Sequence, residues 1–175
     1  MKRYPIPFEK FVVKAHALWA DQWLVLTAGD FHQGDFNAMT VGWGSFGTMW
    51  SKPFAQVVVR PVRYTYAFME RYDTFTLCAF AEQYRAAVES LGMKSGRNCN
   101  KIAEAKLTPI AVSCVAAPGL DEAELMIECR KMYWDDFNPA HFLNPNIEKN
   151  YPLKDYHRMY FGEILAISGV GTYSI

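Results

Sequence analysis

At 175 residues, 51% hydrophobic and 21% charged, the chain can bury a sizeable core and is too apolar to be disordered. Eighteen basic residues balance eighteen acidic ones with no basic stripe, which sets aside a nucleic-acid partner. No apolar run reaches the length of a membrane span and residues 1–11 lack an apolar signal core, so a single cytoplasmic domain over residues 1–175 is expected.

Residues 11–13 form a short apolar run that reads as a strand, and residues 23–28 form a better one, rich in β-formers. Two glycines and two aspartates mark residues 29–35 as a hairpin loop, and residues 36–43 resume as a strand. Gly42, Gly44 and Gly47 follow closely, as at a bulge or where a ligand or another backbone comes near. Lys52-Pro53 breaks the chain before the clearest buried strand, residues 54–59. Apolar residues at helical spacing predict a helix over 64–71, then a strand over 74–80 and a helix over 82–91 stopped by Gly92.

Residues 93–98 make a small basic loop, after which Asn100 is placed to cap a short helix over 101–105. Strands are expected at 110–116 and 123–133. Prolines and asparagines make 136–154 an extended loop, and the last strands fall within 156–170, broken at Gly162 and Gly169. Seven or eight strands with two or three short helices predict a mainly antiparallel, Greek-key-like β-barrel with helical insertions.

The cysteines at 78, 99, 114 and 129 form no C-x-x-C pair. Cys78, Cys114 and Cys129 lie in apolar, strand-like runs and are expected to be reduced and buried. The four histidines are scattered singly, so no metal site is expected, and no nucleophile elbow, phosphate-binding P-loop or G-x-G-x-x-G follows a strand. With no paired carboxylates standing out either, no dedicated catalytic side chain is assigned.

Three segments remain. The run Asn37-Ala38-Met39-Thr40-Val41-Gly42-Trp43-Gly44-Ser45 offers peptide groups and little bulk, as the edge of a flat heterocycle needs. A bulged strand would have the same composition. Arg60-Pro61-Val62-Arg63-Tyr64-Thr65 sets two arginines before a predicted helix, where guanidinium forks and free amides suit a phosphate; surface ion pairs are the alternative. Lys94-Ser95-Gly96-Arg97 has the makings of an anion nest, or of an ordinary exposed loop.

Together with Gly47-Thr48, Trp50-Ser51-Lys52-Pro53, Leu107-Thr108-Pro109 and the run from Asp155 to Ile164, these segments resemble the flavin reductase-like, FMN-binding split β-barrel family, in its flavoredoxin-type branch. The likeness runs from about residue 23 to 167. It implies a homodimer holding FMN near its interface. Asn37, Met39, Thr40 and Val41 would lie along the flavin ring, Gly42 and Trp43 would also bind the cofactor, and Ser45 and Thr48 would sit near the ribityl chain or phosphate. Arg60, Arg63, Tyr64 and Thr65 would form a second binding segment, and Lys94, Ser95 and Gly96 a loop reaching the cofactor. It also implies redox chemistry carried by the flavin, with NADH or NADPH as donor, or with a redox protein partner if the chain is an electron carrier.

Overall fold

The computed structural model describes residues 2–175. Ten strands occur among them. They are β1 (Tyr4–Pro5), β2 (Leu24–Asp30), β3 (Asp35–Val41), β4 (Gly44–Met49), β5 (Lys52–Val59), β6 (Thr74–Ala79), β7 (Pro109–Ile110), β8 (Gly119–Leu120), β9 (Leu125–Asp136) and β10 (Arg158–Gly169). The helices are α1 (Ala15–Ala17), α2 (Tyr64–Arg71), α3 (Arg85–Met93) and α4 (Lys101–Glu104).

One antiparallel sheet runs β3-β2-β6-β9-β10-β5-β4, with β1 added to β10, while β7 and β8 pair separately. Strand alternation divides the apolar residues between its two faces. Leu24, Leu26, Phe75, Leu77, Val57, Val59, Ile127 and Tyr160 point inward and pack with Phe68 and Met69 of α2. Val25, Cys78 and Met126 point outward beneath Val88 and Leu91 of α3, Ile102 of α4 and Leu107. The fold is therefore the expected antiparallel split β-barrel with short helices, one of them set against its inner core.

Several local expectations change. The segment at 44–49 pairs with β5 as a strand, and the chain turns at Trp50-Ser51, both in the left-handed region (φ 51° and 58°). Pro53 is thus inside β5, opposite Thr48. Its missing amide is tolerated because the pairing with β10 runs only from Val59 to Phe54. The first hairpin loop shrinks to residues 31–34, because Gly29 and Asp30 pair with Phe36 and Asp35. Residues 11–13 supply only a bridge, Phe11 to Ser174.

The strand expected at 110–116 ends at Ile110, and Cys114 is exposed, whereas Cys78 and Cys129 are buried. The loop after Ile110 is pinned by Glu128, whose carboxylate accepts from the Ser113 hydroxyl (2.9 Å) and the Cys114 amide (2.6 Å). Gly92 lies inside the last turn of α3 and does not stop it. The final strand ends at Gly169 as expected but runs through Gly162, where a register shift at Phe161/Gly162 takes the place of a break; a second shift falls at Ile164/Ala166. Asn100 caps α4 as expected, its side chain accepting from the Ala103 amide (3.2 Å).

Candidate functional site

The sheet leaves β3 with one neighbour only, β2. Thr65 donates its hydroxyl to the Ala38 carbonyl (3.2 Å), so the Ala38 backbone faces away from β2. By the alternation of an antiparallel ladder, the Thr40 amide and carbonyl face the same way. A cavity of about 350 Å³ opens along this edge, walled by Met39, Thr40, Val41, Gly42, Trp43, Val58, Arg60, Arg63 and His157. It offers peptide groups along one side and apolar or flat side chains around them. Just past this lining, a Cβ on Gly44 would overlap the Trp19 ring and the Gln56 carbonyl, so only glycine fits there.

A second cavity, of about 220 Å³, shares Met39 and Arg63 with the first and continues past Tyr64, Thr65, Leu91, Met93, Lys94, Ser95, Arg97 and Lys101. Arg63 therefore stands at the junction. It caps the start of α2 with extended backbone and donates from Nη1 to the Gly92 carbonyl (2.9 Å), tying α2 to the end of α3. Lys101 is buried; its Nζ donates to the carbonyls of Leu91 (2.9 Å) and Lys94 (3.1 Å). Burial, then the positive charge of Arg63, lowers the Lys101 pKa to about 8. Among the described residues, Arg63, Lys101 and Arg97 have no carboxylate within ion-pair distance. Cations without carboxylate partners around one cavity suit it to an anion.

The two ends of the basic loop differ. Lys94 is paired with Glu104 (2.6 Å), and that contact raises the lysine's pKa and lowers the carboxylate's. Ser95 and Gly96 form a turn closed by Asn98, whose amide donates to the Ser95 carbonyl (3.1 Å). Asn37 is buried and donates from Nδ2 to Thr65 Oγ1 (2.8 Å), which ties β3 to α2.

Arg60 borders the first cavity, but its charge is already engaged. It pairs with Asp155 (3.2 Å), donates to the Asn150 carbonyl (2.7 Å) and lies over the Tyr151 ring at 5.2 Å. These contacts anchor the 137–157 loop. Ser45 and Thr48 are not brought to either cavity: Ser45 donates to Gln56 Oε1 (3.1 Å), and Thr48 lines a separate apolar groove with Phe46 and Phe54.

Two lining groups were not singled out from the sequence. Lys101 enters there only as the first residue of a short helix. His157 lies far along the chain but reaches the Trp43 ring (5.1 Å between centres), with Nδ1 at 2.8 Å from the Tyr151 hydroxyl. Burial, then the charge of Arg60, lowers its pKa to about 4, so the imidazole is neutral near pH 7.

Fold and site together define a split β-barrel protein whose cleft joins a free strand edge to a cationic pocket. The chain belongs to the flavin reductase like domain family, which matches residues 19–170. Among solved structures it is similar to the FMN-binding domain of a flavin reductases-like enzyme from Shewanella baltica (TM-score 0.69, 16% identity, 96% of this chain and 77% of that one). It is similar also to flavoredoxin of Desulfovibrio vulgaris (TM-score 0.67, 19% identity, 92% and 75%). A third is the NADH:FAD oxidoreductase SgcE6 of Streptomyces globisporus (TM-score 0.63, 14% identity, 83% and 74%). No curated protein matches the chain. Among the described residues there is no cluster suited to a metal ion, and no helix is long and apolar enough to cross a membrane.

Proposed function

We propose that the chain, as one cytoplasmic domain, is an FMN-binding oxidoreductase with NADH or NADPH as electron donor. The observation that carries this reading is the continuity of the two cavities through Met39 and Arg63, from an unpaired strand edge to cations lacking carboxylate partners. The residues present fit FMN: the edge of β3 from Met39 to Val41, with Gly42 and Trp43, suits the ring system. Arg63, Lys101, Ser95 and Arg97 suit the phosphate, with Tyr64 and Thr65 opening α2 beside them.

FMN, when bound, supplies the acceptance and release of hydride or electrons. The side chains of this protein bind and orient it. Asn37 and Thr65 fix the spacing of β3 and α2, Arg63 and Lys101 supply charge, and the neutral His157 covers one end of the ring cavity beside Trp43.

The protein is further proposed to be a homodimer. A groove lined by Phe11, Phe46, Phe54, Ile164 and Ile167 opens on the barrel surface, and Trp50 and Tyr133 are exposed. Apolar surface of this kind suits an interface between copies. A monomer mass by light scattering of FMN-loaded protein would overturn it.

The decisive experiment is anaerobic titration of the FMN-loaded protein with NADH and NADPH, followed by flavin absorbance. Bleaching by either is the expected result. Bleaching only by a reduced redox protein would assign the chain to electron transfer in the manner of a flavoredoxin.

A further inference from the structure

The cations around the anion pocket are not equivalent. Arg63, Lys101 and Arg97 have no carboxylate partner, but Lys94, which lines the same cavity, is paired with Glu104 at 2.6 Å. Glu104 itself lines neither cavity of the cleft. The contact therefore holds the Lys94 ammonium at a carboxylate outside the pocket that its side chain borders.

Both partners stand on fixed backbone. The Lys94 amide donates to the Ser90 carbonyl at the end of α3 (3.0 Å), and the Lys94 carbonyl accepts from the Lys101 ammonium (3.1 Å). The Glu104 amide donates to the carbonyl of Asn100, the residue that caps α4 (3.0 Å). What can move is the flexible lysine stem. The two side chains are 47% and 44% exposed. An ion pair so open to water is weak, changing an equilibrium by about twofold to fivefold.

We propose that Glu104 is a built-in competitor of the bound phosphate for Lys94. The inference rests on the flavin reading above, since it takes the FMN phosphate as the competing anion. A phosphate between Arg63 and Lys101 offers the Lys94 ammonium a second partner, and reaching it means leaving the carboxylate. The strength of the pair decides what kind of device this is. It is too weak to shut a pocket that already holds other cations, and strong enough to loosen what binds there. Glu104 thus sets how readily the flavin exchanges, because changes of affinity at one interface fall mainly on the dissociation rate.

The test is calorimetric titration of the parent protein, Glu104→Gln, Lys94→Met and the double variant with FMN and with riboflavin. Glu104→Gln is expected to tighten FMN about twofold to fivefold, to slow its release by a similar factor, and to leave riboflavin unchanged. In the Lys94→Met background the same substitution is expected to bring no such gain, which is the coupling that a double-mutant cycle reads. An equal gain in both backgrounds overturns the inference, because Glu104 then acts by repulsion at a distance and not through Lys94. So does an equal gain for riboflavin. Weaker or unchanged FMN binding in Glu104→Gln overturns it as well, and makes the pair a brace of the basic loop. Each of these results leaves the FMN reading standing. Failure of both flavins to bind any of the proteins overturns both.

Discussion

Gly96 packs directly on Asn37, joining the basic loop to the edge strand. A Cβ at Gly96 would overlap Asn37 Oδ1 and stand 3.0 Å from its Cγ and 3.1 Å from the Tyr64 ring. Asn37 cannot give way freely, because it is buried and its Nδ2 holds Thr65 at 2.8 Å. Gly96→Ala should therefore push the loop off β3 or break the Asn37–Thr65 bond. The expected cost is about 1–3 kcal/mol of stability, read from a denaturant midpoint, with a loss of FMN affinity. Unchanged affinity would show that the loop takes no part in binding.

Arg63 links both cavities of the flavin cleft and has no carboxylate partner to occupy it. Its removal should cost FMN about 1.5–3 kcal/mol, roughly tenfold to hundredfold in affinity, and riboflavin little. Arg63→Lys should recover part of the loss, because a point charge replaces a bidentate fork. The bond from Arg63 Nη1 to the Gly92 carbonyl gives the residue a structural duty as well. If that duty is all it has, Arg63→Ala will lower the melting temperature of the apo-protein and weaken both flavins alike.

The barrel and the α2 segment were legible in the sequence because their signals are local: residues 54–59 are apolar at every position but Gln56, and residues 64–71 keep a helical period. Strand β4 was not, since Gly44 and Gly47 lower strand propensity and its turn, Trp50-Ser51, lacks the glycine or asparagine expected of such turns. Met39, Thr40, Arg63 and Tyr64 were singled out through short motifs, and the fold sets them on two adjoining cavities, with Asn37 bonded to Thr65 beside them. Lys101 and His157 depend on long-range packing. Nothing next to Lys101 in sequence shows that its amine will be drawn under the end of α3, and His157 meets Trp43 only when β10 closes against β5.

Lys101 gives the cleft a pH dependence. Its folded pKa of about 8 lies below the ordinary lysine value of 10.5, through burial and then Arg63. Over the window between these values the unfolded chain binds more protons, so this group makes stability rise as pH increases from about 8 to about 10.5. Its effect on a bound phosphate has the opposite sign: affinity for FMN should fall as pH passes through about 8 and the ammonium is lost. Lys101→Met should weaken FMN at pH 7, by roughly tenfold as for a charge-assisted contact, and flatten the profile above it. A profile identical to that of the parent protein would remove Lys101 from the anion site.

His157 sets a second dependence on the acid side. Its pKa is lowered from 6.5 to about 4 by burial, then by the charge of Arg60; Asp155 acts against these and Arg63 adds a smaller effect in the same direction as Arg60. Between pH 6.5 and about 4 the unfolded histidine is protonated while the folded one resists, so its contribution to stability is present above 6.5 and lost as pH falls. The loss should be about 1–2 kcal/mol, below the full linkage value because the ring is partly exposed. His157→Gln keeps a polar group beside the Tyr151 hydroxyl and cannot titrate, so its denaturant midpoint should change less between pH 7 and 4.5. FMN affinity should not follow the same curve until the ring itself protonates near pH 4, since a neutral imidazole lines the cavity across the range. If the variant loses stability in acid as steeply as the parent, the carboxylates of the ion pairs carry the acid sensitivity instead, Asp136 on Arg158 first among them, its pKa lowered chiefly by that arginine's hydrogen bond.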